Sequence, residues 1–415
     1  MGKVRWTGWT VALATLLVAA SVQSARADLA SDLPAAQVIY PRIVVNSGTN
    51  VNTLVRLTNT SPYPVNLHCF YVNANGHCSL NNRVCGGTSG YTCGTSDGSC
   101  LPGWMETDFR INLTSYQPLE WSAEDGLSSV PISYGVCLNN PMFRCGSNAE
   151  CDYFGVGGFC SAALAGTNAG TRIPPVSEDP YNGSLRCFAI NPATGNPVVR
   201  NDLKGEAVVI TASSFPTVVE DMSSYNAIGI RANGEFGADM GDGPTYTMGP
   251  GDSGDYAACP TVAILNHFFQ DSPDPVMDTT WKIGTRITIV PCSDDYLHQV
   301  GGSAVMQYLV FNEYEQRFST SRTVNCYQEI ELCNIDTPTC ARSIFNYAVA
   351  GTYVGQTRIN AIPLGNPPNL ASRMLVLATE HHDNTTPPTT PPSRSAAFNV
   401  HFAGTSDTAD TLTIP

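Results

Sequence analysis

The sequence predicts an all-β protein built as two antiparallel β-sandwich domains, the first carrying disulfide-rich loop insertions. Three observations predict it. Only 13% of the 415 residues are charged, against about a quarter in an ordinary soluble domain, and Thr, Ser, Asn, Gly and Pro, which suit strands and turns, replace them. Short runs of alternating apolar and polar residues recur between turn signals, the pattern of half-buried strands. Fifteen cysteines are present, several clustered. Lysine occurs only at Lys3, Lys204 and Lys282, which starves a helical reading, while 42% hydrophobic residues suffice for a core and exclude global disorder.

The first 27 residues read as a secretory signal peptide. Lys3 and Arg5 form a positive end, Val11 to Ala20 a short apolar run, and Ala25-Arg26-Ala27 a small-x-small cleavage site. Cleavage would remove three basic residues and no acid, leaving 18 Lys+Arg against 35 Asp+Glu, a net −17. That balance excludes nucleic acid as a partner and argues against anionic lipid. No run in the mature chain is long enough for a transmembrane helix. The expected location is secreted, extracellular or periplasmic, where cysteines pair.

The elements follow in order. Gln37 to Val45, Thr53 to Thr58, Val65 to Val72, Asp108 to Thr114, Leu185 to Ile190 and Ala207 to Thr211 alternate as strands. In the third, Leu67 and Cys69 share the inward face, and Asn191-Pro192 with Gly195-Asn196-Pro197 mark a hairpin between the last two. This set makes a first domain, 28–215. A second domain, 216–415, starts with a Gly/Asp-rich loop at 233–258. Its strands are Arg286 to Val290, Val305 to Phe311, Thr323 to Leu332, Phe345 to Val354, Met374 to Thr379, Ala397 to Phe402 and Thr411 to Ile414. Pro260 to Phe269 fits a short helix or a strand. The Thr/Pro run at 385–393 is an extended loop within this domain.

Two internal echoes stand out. Leu54-Val55 to Asn59 followed by Val65 to Cys69 resembles Leu309-Val310 to Asn312 followed by Val324 to Cys326, each a strand, a polar turn and a strand with a cysteine. More sharply, Cys78, Leu80-Asn81-Asn82, Cys85-Gly86, Cys93 and Cys100 match Cys137, Leu138-Asn139-Asn140, Cys145-Gly146, Cys151 and Cys160. Segments 78–100 and 137–160 therefore read as two small knots, each closed on itself by two cross-links worth roughly 3 kcal/mol apiece. The pairing inside each knot stays open. Outside them the expected pairs are Cys69–Cys187, Cys259–Cys292 and Cys333–Cys340, with Cys326 left over.

The stretches TLVRLTNTSPYPVNLHCFYVN (53–73), ACPTVAILNH (258–267), VPCSDD (290–295), YLVFNEYEQRFSTS (308–321) and AFNVHFAG (397–404) resemble exported bacterial β-rich proteins. Asn-Thr-Ser after an early strand is similar to the turn of bacterial immunoglobulin-like modules, and the knots resemble the Cys-rich inserts of exported surface proteins. The resemblance implies a secreted protein with immunoglobulin-like sandwiches and implies no activity.

Candidate chemistry is sparse. Gly251-Asp252-Ser253-Gly254 matches the nucleophile tetrapeptide of trypsin-like proteases, and His68-Cys69 lies upstream. Asp255 stands where that family has glycine, however, and His68 should point away from the loop, so no triad is expected at Ser253. Asp239, Asp242, Asp252 and Asp255 offer hard oxygen ligands on a glycine-rich backbone, which suits calcium, the one cofactor the sequence suggests. Asp294 and Asp295 repeat that idea faintly. Glu380-His381-His382-Asp383 holds four ligand types, but neighbours on a strand face opposite ways. His267 and His401 read as sheet residues, and Glu313 and Glu315 as an exposed edge. The expected role is a non-catalytic binding or structural one toward a protein or glycan, the alternative a secreted hydrolase of glycan or peptide.

Overall fold

The computed structural model describes residues 29–30, 32–81, 83–85, 92–101, 103–127, 130–138, 140–145, 159–160, 164–168, 173–214, 218–241, 243–250, 253–277, 280–364, 370–384, 393–406 and 408–415. The signal segment, Asp242, Asp252, Cys151 and nearly all of the Thr/Pro run lie outside them.

The chain is all-β, with predominantly antiparallel sheets. In its first half a six-stranded sheet runs in the order Leu29–Ala30, Ile228–Ile230, Gln37–Val45, Tyr181–Ile190, Val65–Asn73, Met105–Leu113. It faces a four-stranded sheet of Val218–Asn226, Leu203–Ser214, Val51–Asn59 and Pro118–Ser122. Tyr40, Leu67, Tyr71 and Leu185 from one sheet meet Val55, Leu57, Trp121 and Val209 from the other. Burying each such side chain contributes about 1.5–3 kcal/mol. Trp121 Nε1 donates to Tyr71 Oη at 2.7 Å, so the one polar atom of this indole is satisfied inside the core. Cys69 and Cys187 lie directly opposite on adjacent strands and are bonded.

The second half repeats the layering. Arg317–Asn325, Gly302–Asn312, Val354–Pro363, Pro260–Phe268 and His401–Thr405 form one sheet. Ser272–Pro273, Trp281–Pro291, Met374–Asn384 and Arg394–Asn399 form its partner, with Gln328–Glu331 added to Trp281–Pro291. Leu265, Ile287, Met306, Tyr308, Ile359 and Val376 fill the space between.

A third core lies between the halves. The reverse face of the first six-stranded sheet, with Ile39, Phe70, Phe188 and Ile228, packs on Tyr246, Met248, Tyr256, Val290, Tyr296, Leu375, Leu412 and Ile414. A small sheet of Tyr256–Ala257, Thr245–Gly249 and Asp410–Thr413 supplies part of this cover. Tyr181–Ile190 is therefore buried at every position, as a strand covered on both faces must be. At its middle sits Arg186, 2% exposed. Its guanidinium donates to the carbonyls of Pro291 and Cys292, both at 2.7 Å, and lies 3.1 Å from Asp294. Asp294 also accepts from Gly302 N and Tyr296 Oη. Burial raises its carboxyl above the usual range, while Arg186, the amide and the phenol pull the other way. Cys259–Cys292 ties the same corner.

Several expectations change. The segment 345–354 is not a strand: Asn346 caps a helical turn at Tyr347–Ala350, Gly351 ends it at φ 76°, and the strand begins at Val354. That cap pair overrides the alternation. The segment 323–332 breaks at Cys326, whose φ is 62°, before Gln328–Glu331, and 397–402 divides around Val400. Pro260–Phe268 is a strand. The turn 191–197 does not pair Tyr181–Ile190 with Leu203–Ser214, which belong to different sheets; it folds back only as far as a single antiparallel bridge between Ile190 and Pro197. The first echo fails for the same reason: Val51–Asn59 and Val65–Asn73 sit in opposite sheets, whereas Gly302–Asn312 and Arg317–Asn325 pair directly. Residues 215 and 216 lie outside the described residues, between the strands Leu203–Ser214 and Val218–Asn226, which pair with each other.

Replacing Arg186 with Met leaves Asp294 buried without its counter-charge. It should cost about 3–5 kcal/mol, read as a lower denaturant midpoint. The double variant Arg186→Met/Asp294→Leu should recover more than half of that loss.

Candidate functional site

The knots grow from the edge of the first half. Val65–Asn73 and Met105–Leu113 are antiparallel neighbours, and the first knot is the excursion between them. Its strands Gly76–Cys78, Val84–Cys85 and Cys100–Leu101 form a small sheet, pinned by Cys78–Cys93 and Cys85–Cys100. Cys78, Cys85 and Cys93 place their sulfurs within 4.8 Å of one another, but all are consumed by disulfides, so the cluster offers no thiolate to a metal. One carboxylate holds the stem. Glu178 accepts from Asn73 Nδ2 at 2.7 Å and Asn75 Nδ2 at 2.6 Å and meets His77 Nε2 at 2.9 Å. Burial would raise Glu178, but those three bonds outweigh it and hold it below its usual range.

The second knot leaves the chain between Pro118–Ser122 and Tyr181–Ile190. Val130–Cys137 leads into it, Asn140–Cys145 lies within it and Leu164–Asn168 follows it, with Val130–Cys137 pairing to both others. The backbone of Val130–Cys137 comes within 8 Å of Met105–Leu113, the edge strand that follows the first knot. Cys160 is disulfide-bonded. Leu138 N donates to Phe159 O at 3.0 Å. The repeated leucines point into solvent: Leu80 is 71% and Leu138 62% exposed, with Phe159 at 67% and Leu101 at 52%.

The other candidates are held apart. Asp239 accepts from Thr194 Oγ1 and Asn191 Nδ2, and Asp255 from Thr247 N and Oγ1. Each is turned to its own loop. Ser253 donates to Pro250 O at 2.6 Å, while His68 Nε2 meets Asp108 at 2.9 Å. His68 lies opposite Leu67 and Cys69 as expected, yet it is only 3% exposed, because the third core covers that face. Burial lowers its pKa, against Asp108. Gly94-Thr95-Ser96-Asp97-Gly98 spells a hydrolase string, but it lies in the first knot, without the strand-to-helix elbow that such a nucleophile needs. His267 is buried against Thr357 Oγ1 at 2.8 Å, and burial pushes it down to about 4. His401 is exposed on its strand, and Glu313 and Glu315 stand in the turn after Gly302–Asn312, Glu315 with φ 60°.

Residues 380–383 join an ion-pair network. His381 meets Asp383 at 2.7 Å and Glu331 at 2.9 Å, and His382 meets Asp274 and Glu380. Glu331 also binds Arg286, and Arg286 and Arg42 share Glu329. The network thus reaches from Met374–Asn384 to the first half's Gln37–Val45. Burial alone would lower His381, but the two carboxylates push it up to about 9, so near neutral pH the ring is held as a cation between them. Gly284 faces this ring: a Cβ there would lie 2.5 Å from it. Sequence spacing could not show this, since Glu329 and Glu331 come from a strand 50 residues away from His381.

Fold and site define a disulfide-braced all-β protein. No family model matches the chain, and no curated protein matches it. Among the described residues no helix is long and apolar enough to cross a membrane.

The network sets a pH dependence. His381 is raised in the folded state, so its stabilisation is complete below about 6.5 and is lost as pH climbs through about 9. Glu106, pushed up to about 7 by burial and by Asp108, has largely titrated before the end of that window. Unfolding free energy should fall by about 1–3 kcal/mol from pH 7 to 9.5, and His381→Gln should flatten this leg of the profile.

Proposed function

We propose that the chain is an exported, non-catalytic protein of two immunoglobulin-like sandwiches, secreted or held at the cell surface, whose two knots meet a protein or glycan partner. The signal-like first 27 residues and the disulfides support export, since such bonds persist in oxidising compartments. One observation carries the binding reading. The leucine shared by the two knots faces solvent in both, as do Leu101 and Phe159. Apolar side chains exposed on cross-linked loops lose little conformational freedom on contact. Kinship with exported bacterial β-rich proteins rests on the short motifs of 53–73, 258–267 and 397–404.

The test is the double variant Leu80→Ser/Leu138→Ser. Both side chains sit in water, so stability should shift by less than about 0.5 kcal/mol. Binding to immobilised glycans or surface proteins that retain the wild type on an array should weaken roughly tenfold or more. Unchanged binding, or turnover of a peptide or glycan by the wild-type chain, would overturn the reading.

A further inference from the structure

We propose that Arg317–Asn325 joins two copies of this chain edge to edge, antiparallel, about a twofold axis at Ser321. The argument starts from the sheet edges. An uncovered edge strand offers unpaired backbone groups to any second strand, and proteins blunt such edges with prolines, charges, bulges, shortness or cover. The other edges here are blunted. Val218–Asn226 faces Arg394–Asn399, where Arg394 donates to Glu220 O, Ser395 N to Asp221 Oδ1 and Asn399 Nδ2 to Asn226 O. Met105–Leu113 carries the knots. Pro118–Ser122 is five residues long and begins with proline. His401–Thr405 is also five and contains Gly404 at φ 70°. Arg317–Asn325 is neither short, bulged, covered nor broken by proline, and its only charges are Arg317 and Arg322. It is nine residues long, pairs only with Gly302–Asn312, and runs without a break in register. Its sequence, RFSTSRTVN, holds no Pro, Gly, Lys, Asp or Glu.

Backbone parity then selects a register. Cys326 N donates to Gly302 O, and Asn312 N donates to Gln316 O. The even-numbered residues therefore form the hydrogen-bonded pairs with Gly302–Asn312, and the odd-numbered ones turn their N–H and C=O outward. A twofold axis at Ser321 places Ser321 on its own copy, Ser319 on Thr323 and Arg317 on Asn325. Every outward group then meets an outward group, and each pair can exchange two bonds.

The side chains agree with that register. On the even face Phe318 falls opposite Val324 and Thr320 opposite Arg322, so apolar meets apolar. No carboxylate lies on these five strands of the sheet, so the charges that two paired copies bring to the edge are Arg317 and Arg322 of each. Arg322 is drawn away from the axis by Asn334 O at 3.0 Å. Beside it lies a hollow of about 510 Å³ lined by Ile330, Ile335 and Pro338 together with Asn334, Asp336 and Thr337, on the face where the second copy's Phe318 would stand. Cys326 lies just past the strand's end and is the one free cysteine among the described residues. The two copies of it would be roughly 34 Å apart, so the pairing is non-covalent.

Sedimentation equilibrium of the mature chain should give twice the monomer mass at micromolar concentration. Ser321→Lys puts two ammonium groups at the axis and should raise the dissociation constant more than tenfold, with melting temperature and circular dichroism unchanged. Ser321→Cys should form a disulfide-linked dimer in air, because facing Cα atoms in such a pair lie about 5.5 Å apart. Gln307→Cys, exposed one strand further in, should not. A wild-type monomer at all concentrations, an equally tight Ser321→Lys dimer, or equal cross-linking of the two cysteine variants would each overturn the proposal.

Discussion

The architecture depends on one strand being covered from both sides. Tyr181–Ile190 belongs to the first half's core through Leu185 and Cys187 and to the inter-half core through Phe188 and Ile190. Placing Arg186 at its centre means that a guanidinium must lie buried between the halves. Leaving it unpaired there would cost several kcal/mol. The second half supplies the compensation: two carbonyls at Pro291 and Cys292 and the Asp294 carboxylate. The bend after Trp281–Pro291 is positioned to present those groups, and the Cys259–Cys292 bond holds it there. The C-terminal strand closes the corner, since Thr413 N donates to Asp294 O and Tyr296 N to Thr413 O. Such a buried pair selects one docking of the halves more than it adds stability.

The same division recurs around the inter-half surface. Tyr327 Oη donates to Asn182 Oδ1 at 2.6 Å, and Arg42 shares Glu329 with Arg286. Interior charges are met by opposite charges or by backbone, which fixes them in place. His381, protonated between two carboxylates, and His267, neutral and bonded to Thr357, show opposite outcomes of burial. A charged partner within reach decides which form survives. The surfaces proposed to meet a partner lie elsewhere, at the knots and at the Arg317–Asn325 edge.

How much of this was legible varies with the range of the interaction. Alternation located the cores of Gln37–Val45, Val65–Asn73 and Gly302–Asn312, because a strand with one apolar face advertises its period of two. It missed Val218–Asn226, whose register shifts twice, and it misread 345–354, where Asn346 and Gly351 impose a helical turn. The cysteine pairs Cys69–Cys187, Cys259–Cys292 and Cys333–Cys340 could be written down from spacing and inward alternation, and the structure joins those same residues. The leucine echo of the knots was visible, but its exposure was not. The calcium reading rested on acids whose described members, Asp239 and Asp255, bond to separate neighbours.

Composition, local alternation and cysteine count by themselves determined that this is a β protein braced by disulfides, because those signals act over a few residues and need no knowledge of what packs on them. The tertiary structure alone decided which strands are neighbours. It placed Val51–Asn59 and Val65–Asn73 in opposite sheets although they adjoin in sequence, and it laid His68 against the second half although alternation turned it away from the first core. The physical reason is that a strand's outward face looks the same in sequence whether water or another sheet covers it. Only the fold brings residues 186 and 294, or 42 and 329, close enough for their charges to matter.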